Sequence, residues 1–324
     1  MLFEAKINEA KRKVLNKVRI CMFDSCKEKA IKSHVLQKNG ILKEISEENH
    51  LIQLIPPDAF NLEKNGIIEF KKIGINEAYT FMGFCNKHDT ELFRPIEDKN
   101  EIDLHSIYHQ ALFSYRGLCQ EIRRKEIVLE WLSLLDADFP FEMKSIFSAS
   151  EDGYRAGIKN LSFFKEEFEN AFKKQDFSKF FFSTIEIPKL EICISVPLNI
   201  KETNNTENLS YENWKAQQPS TFATSFINIF PFKGKSYFIG GYHKNYPCKW
   251  TDKKLNKFSY SKPKIIKKEL SDLIVLRLEF WVISPKIFRL ISEDTIRKYR
   301  KTFSENILNH SENMKTKINL FEKL

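Results

Sequence analysis

Two pairs of soft metal ligands stand out in this sequence, Cys21 with Cys26 and Cys85 with His88. Thiolates and imidazole arranged tetrahedrally are what a structural zinc ion selects. The four residues between Cys21 and Cys26 suit a knuckle turn. The i, i+3 spacing of Cys85 and His88 places both side chains on one side of a helix's first turn. Knuckle first and helix-borne pair last is the order of a treble-clef zinc module. Such a site supplies on the order of 10–16 kcal/mol of apparent binding energy, which compensates for a segment too small to build its own core.

A second set of reactive groups lies inside the same frame. Ser33-His34-Val35-Leu36-Gln37 follows the first cysteine pair by a few residues, and Asp89 directly follows the last ligand. On these residues the sequence resembles the HNH, or His-Me finger, nucleases in their zinc-stabilised form, over about residues 18–97. The resemblance implies a ββα-metal module in which His34 is the general base that activates water. It places Asp89 where the helix ligand of a catalytic ion belongs, and it makes Cys21, Cys26, Cys85 and His88 the structural zinc ligands. Ser33 stands where the family has an acid before its histidine, and Asp89 where the family more often has His or Asn. The family's middle residue, usually Asn, has no single counterpart. Asn49 and His50 are candidates by distance, with Asn61 behind them. Fifty-eight residues separate Cys26 from Cys85, which implies an insertion within about residues 37–80.

The chemistry needs this division of labour. A zinc ion held by four protein ligands has no open position and can only build scaffold. A second, hard ion (Mg2+ or Mn2+) bound through oxygen would polarise a phosphodiester, while a neutral imidazole takes a proton from water. His34, with an ordinary pKa of about 6.5, suits that base near neutral pH.

The elements that must position these groups follow from hydrophobic periodicity. Residues 3–20 carry apolar positions at helical spacing, and residues 102–135 read as one or two amphipathic helices. Asn86 to Phe93 can make two helical turns before Pro95 stops them, and a third long helix fits Tyr154–Lys174. Strand-like runs occur at Leu51–Ile55 and Ile67–Ile73, then at Phe180–Ile187, Leu190–Val196, Phe222–Phe230, Ser236–Tyr242 and Asp272–Ile283. The polar run Lys201–Ser210 reads as a linker. Ser284-Pro285 and Ser292 mark the starts of terminal helices, the second over Glu293–Asn309. The expected fold class is α+β: a small N-terminal treble-clef module at residues 1–100, then a region at 101–324 with a helical middle and an antiparallel sheet flanked by helices.

Charge distributes unevenly over this plan. The 324 residues carry a net charge of +9, yet Pro231 to Leu324 holds 21 Lys and Arg against 9 Asp and Glu. Segment 233–268 contains eleven Lys and one acid, Asp252, interleaved with Tyr237, Phe238, Tyr242, Tyr246, Trp250, Phe258 and Tyr260. Lysines neutralise phosphates and aromatic faces stack on unpaired bases, so nucleic acid is the expected partner, with an acidic protein partner as the other reading. His105 and His109 lack a third ligand and read as an exposed helix face. Gly234-Lys235-Ser236 lacks the glycine that a phosphate loop requires five residues earlier, where Ile229 stands. Cys119 and Cys193 read as small core residues, and Cys248 has no partner at metal spacing.

The composition excludes several classes. Hydrophobic residues make up 42%, too many for wholesale disorder, and no run approaches 18 apolar residues. The first twenty residues lack an apolar secretory core, and six cysteines without such a signal read as thiols or metal ligands, so the expected compartment is the cytoplasm. The leading expectation is metal-dependent hydrolysis of a phosphodiester by an HNH-like endonuclease, DNA favoured over RNA. From the family, a bacterial genome-defence (antiphage) or toxin setting suits such a fusion. The alternative is a non-catalytic zinc-binding module in a nucleic-acid- or protein-binding adaptor.

Overall fold

The computed structural model describes residues 2–56, 67–135, 141–200, 221–306 and 314–324. The described α-helices of four residues or more are α1 (Leu2–Leu15), α2 (Asn86–Phe93), α3 (Ile107–Leu135), α4 (Phe141–Lys174), α5 (Lys249–Tyr260), α6 (Pro263–Arg277), α7 (Pro285–Phe288) and α8 (Glu293–Asn306). The strands are β1 (Lys32–His34), β2 (His50–Ile55), β3 (Glu69–Gly74), β4 (Thr80–Met82), β5 (Phe180–Ile187), β6 (Ile192–Asn199), β7 (Thr224–Phe232), β8 (Lys235–His243) and β9 (Val282–Ile283). The protein is mixed α+β, with a helical middle and a C-terminal antiparallel sheet.

Seven strands form one sheet in the order β3-β2-β9-β6-β7-β8-β5, and every pairing in it is antiparallel. The alternation of side chains along β6 and β7 divides the core. Cys193, Phe226 and Phe230 face a cluster built with α3 and α4, while Ile192, Ile194, Ile227 and Ile229 face a second cluster built with α5 and α6. Both faces are covered, which is why these strands read as continuous apolar runs. The heavy use of Phe settles mainly on the first face, where Phe168 stacks on Phe180 at 4.3 Å and meets Phe226 edge-on at 5.0 Å.

β2 and β3 come from the first hundred residues, yet β2 pairs with β9 through Ile52↔Ile283 and Gln53↔Val282. The first hundred residues and the rest therefore share one sheet, and the core cluster that holds Cys21 and Cys85 also holds Phe230 and Val282. β1 and β4 form a separate two-stranded ribbon. The residues between them contain β2 and β3, so the long spacing between the cysteine pairs is occupied by strands lent to the large sheet.

Glycine is required where α3 crosses the sheet and in the β7–β8 turn. Gly117 sits where α3 crosses β6; an added Cβ would lie 2.2 Å from Ser195 Oγ and 2.8 Å from its carbonyl oxygen. Lys233 and Gly234, at φ 50 and 81, form the two-residue turn between β7 and β8, so the Gly-Lys-Ser triplet is a hairpin tip.

Several expectations are corrected. The run Asp272–Ile283 is helical as far as Arg277, and the strand is confined to Val282–Ile283. Burial of Leu270, Leu273 and Ile274 at helical spacing outweighs the strand preference of Ile and Val. The first helix stops at Leu15, leaving Val18 and Ile20 exposed, and α3 starts at Ile107, so of the two histidines only His109 is helical. α4 begins at Phe141, thirteen residues before the expected start. The Lys201–Ser210 run lies outside the described residues, as does Asn61. Among the described residues, no helix is long and apolar enough to cross a membrane.

Candidate metal centre and the groups beside it

The first ligand pair sits on a tight loop. Residues Ile20 and Lys29 pair across its base, Cys21 N–H donates to the Glu28 carbonyl at 2.9 Å, and Cys26 N–H donates to the Phe23 carbonyl at 3.1 Å. Ser25 takes a left-handed conformation (φ 61) to close the turn. The second pair opens α2. Cys85 is its N-cap, and the Asp89 amide donates to the Cys85 carbonyl at 2.9 Å, which brings His88 round to the cysteine's side.

The four ligand atoms converge, all lying within 4.8 Å of one another. Cys21 Sγ is 3.4 Å from His88 Nδ1, Cys85 Sγ is 3.3 Å from the same nitrogen, and Cys26 Sγ is 3.9 Å from Cys85 Sγ. This cluster could hold a metal ion, and all six cysteines are free thiols. Burial pushes the Cys21 thiol up to about 12. Burial opposes ionisation of Cys85 too, but the His88 and Lys87 amides at the start of α2 and the neighbouring thiols outweigh it, and its pKa is lowered.

Helices α3 and α4 grip this loop from behind. Glu169 Oε1, buried on α4, accepts from Tyr115 Oη at 2.5 Å, from Lys165 Nζ at 2.7 Å and from the Asp24 amide at 3.1 Å. Arg123 of α3 donates to the Met82 and Ile20 carbonyls at 2.9 and 2.8 Å. Phe23 packs on the His88 ring with centroids 4.4 Å apart.

His34 ends β1, paired with Thr80 of β4. Its Nε2 lies 2.9 Å from the Ile75 carbonyl oxygen, an acceptor, so Nε2 carries the hydrogen and Nδ1 keeps its lone pair. Burial depresses its pKa, helped by the positive charges of Lys38 and Arg116; the Ile75 carbonyl and Glu97 act in the opposite direction. Ser33 points the other way: it is fully buried, and its hydroxyl accepts from the Phe84 amide at 3.3 Å.

Asp89 lies in the first turn of α2, directly after His88 of the cluster. Its Oδ1 is 3.8 Å from Nη2 of Arg116, and Nη1 of the same guanidinium donates to Glu97 Oε1 at 2.6 Å. Arg116 is almost wholly buried and lies 3.9 Å over the Phe93 ring. Asp89 Oδ1 and Arg116 Nε are buried without a hydrogen-bond partner. Arg116 thus ties α3 to both ends of α2, and its charge reaches His34.

The two middle-residue candidates behave differently. Asn49 (φ 58) accepts the Ile75 amide at 2.7 Å through its backbone carbonyl, while its side chain meets Lys43. It therefore touches the His34 partner residue through main chain alone. His50 opens β2 opposite Gly74, with Nδ1 2.7 Å from the Glu48 carbonyl. The polar side-chain contacts of both are with Lys43 and Glu48 rather than with His34. Among the described residues, the Cys/His cluster is the one group of three or more such ligands close enough to hold a metal; His34, Asp89 and Glu97 do not form another.

Sequence reasoning missed Arg116 and Glu97. The signal was present: Arg116 stands alone within Ala111–Cys119, a stretch of α3 that is otherwise uncharged and wholly buried. A charge in such a stretch demands partners. No family model matches this chain, and no curated protein or solved structure does either.

Proposed function

We propose that the Cys21, Cys26, Cys85 and His88 cluster holds a zinc ion as a closed treble-clef scaffold. Zinc bonds of about 2.3 Å to sulfur and about 2.05 Å to nitrogen give tetrahedral edges of about 3.8 Å between sulfurs and about 3.6 Å between sulfur and nitrogen. The observed 3.9, 3.4 and 3.3 Å separations fit that donor set. Three sulfurs and one imidazole leave no position for a substrate, so this ion builds structure.

The reading that the surrounding groups support best is hydrolysis of a phosphodiester by an HNH-like site, with nucleic acid, DNA before RNA, as substrate. One observation carries it: His34 is locked through Nε2 to the Ile75 carbonyl and presents Nδ1 as an acceptor, on the ribbon that feeds the helix bearing Asp89. Nδ1 takes a proton from an attacking water, and the Ile75 carbonyl stabilises the imidazolium that forms. The depressed pKa keeps His34 neutral at pH 7. Asp89, with a buried oxygen that has no hydrogen-bond partner, would be the carboxylate that holds a hard ion such as Mg2+ or Mn2+. Such an ion, when bound, stabilises charge on the phosphate and on the leaving oxygen.

A second reading has its own support. Ser33 is turned into the core and Arg116 already neutralises Asp89, which suits a zinc module without catalysis in a binding adaptor. Incubation of the purified chain with supercoiled plasmid and single-stranded DNA, with Mg2+ or Mn2+, separates the two. The nuclease reading expects nicking or degradation that Asp89→Asn abolishes. Intact substrates at every ion concentration support the adaptor.

A further inference from the structure

The basic segment 233–268 folds as β8, α5 and the first part of α6, and the fold sorts its aromatic residues. Phe238, Trp250 and Phe258 are buried in the core on the second face of the sheet, and Tyr237, Tyr242 and Tyr246 are half-buried. Tyr260 differs from all of them at 88% exposure. It is the last residue of α5, and only Ser261 and Lys262 separate it from Pro263, which opens α6. Lys257, one turn earlier, and Lys262 and Lys264, just after, are all exposed. From Lys253 to Lys268 the sequence holds seven lysines and no acid.

A tyrosine this exposed contributes little to the fold; Lys257 is paired with Glu269 at 2.6 Å, whereas Lys262 and Lys264 beside the ring are like charges that repel one another unless an anion sits between them. We propose that the tip of the α5–α6 hairpin binds single-stranded nucleic acid, with an unpaired base on the Tyr260 ring and adjacent phosphates held by Lys262 and Lys264. A base stacks on an aromatic face whatever its identity, and lysines neutralise the backbone beside it. Duplex DNA hides its base faces, so it would use the lysines and leave the ring idle. An acidic polypeptide offers carboxylates without flat rings to cover Tyr260. Helices α5 and α6 pack on the opposite face of the sheet from α3, α4 and the metal centre, so this surface is distinct from His34 and Asp89. The proposal concerns binding alone and stands or falls without cleavage.

The test is fluorescence anisotropy of the full-length protein with fluorescein-labelled oligothymidylate and with a duplex of equal length, no divalent ion added. The single strand should bind more tightly than the duplex. Tyr260→Ala should weaken single-strand binding on the order of ten-fold while Tyr260→Phe binds as the parent does. Lys262→Gln combined with Lys264→Gln should flatten the slope of log affinity against log salt by about 1.4, two phosphates' worth. These side chains are exposed, so thermal melts of the variants should match the parent. Parent-like binding by Tyr260→Ala, or an equal loss on duplex, would overturn the stacking site. Competition by polyglutamate as strong as by unlabelled oligonucleotide would overturn it in favour of an acidic protein partner.

Discussion

Arg116 Nη2 stands 3.8 Å from Asp89 Oδ1, beneath the first turn of the helix that also carries Cys85 and His88. The guanidinium completes a fork by donating to Glu97 at 2.6 Å, with its flat face on Phe93. One buried cation thus fixes the pose of α2 from the α3 side and supplies the counter-charge to the carboxylate that a catalytic ion would need.

Arg116→Met should separate those two roles. Losing the charge-assisted hydrogen bond to Glu97 should cost about 1.5–3 kcal/mol of stability, at the lower end because Glu97 is partly exposed, read from urea denaturation. If Asp89 is an ion ligand, freeing it should tighten Mn2+ binding measured by electron paramagnetic resonance. Unchanged Mn2+ affinity would favour the non-catalytic module.

Metal removal should act on the scaffold first. Chelation should release one zinc per chain and lower the melting temperature, and Cys85→Ser should do the same without chelator, because binding energy on the order of 10 kcal/mol is lost from the segment around the knuckle. Elemental analysis showing no bound metal in the purified parent would contradict the cluster's assignment.

Glu169 should matter to the metal centre although it touches none of the ligands. Glu169→Gln removes the charge that satisfies Tyr115, Lys165 and the Asp24 amide, a loss of about 1–3 kcal/mol at a buried site. Release of metal to a colorimetric chelator should accelerate, since the Asp24 amide belongs to the Cys21–Cys26 loop.

The pH dependence follows from His34. Its folded pKa lies below the unfolded value of about 6.5. Between those two values the unfolded chain binds more protons, so stability falls as pH drops from about 6.5 to the folded pKa, then receives no further contribution from this group. The acid limb of a cleavage profile should likewise lie below pH 6.5. Nuclear magnetic resonance titration of the imidazole, assigned with His34→Gln, checks both; a titration midpoint above 6.5 would contradict them.

Much of this arrangement was legible from local signals. The cysteine and histidine spacings foretold that these four side chains converge, and Pro95 foretold where the two-turn helix α2 over Asn86–Phe93 would stop. Strand β5 at Phe180–Ile187 could be read residue for residue from its β-branched and aromatic run. The failures came where tertiary packing decides. Asp272–Arg277 looks like a strand, yet Leu270, Leu273 and Ile274 bury one helix stripe against the sheet. The pairing of β2 with β9 joins residues over two hundred positions apart, which no local pattern encodes. The fork of Arg116 on Asp89 and Glu97 depends on α3 lying against α2, and the contribution of Asn49 runs through main chain, where side-chain type is silent.

If His34 is the proposed base for phosphodiester hydrolysis beside a zinc scaffold, its removal should stop cleavage and leave the scaffold intact. Single-turnover cleavage of plasmid and single-stranded DNA by parent and His34→Ala, with zinc content and melting temperature measured on the same preparations, tests it most directly. The parent should cleave, His34→Ala should lose at least about 100-fold, and both should hold one zinc per chain with the same melting behaviour. Cleavage by His34→Ala at the parent's rate, or no cleavage by a zinc-loaded parent with Mg2+ or Mn2+, would contradict it.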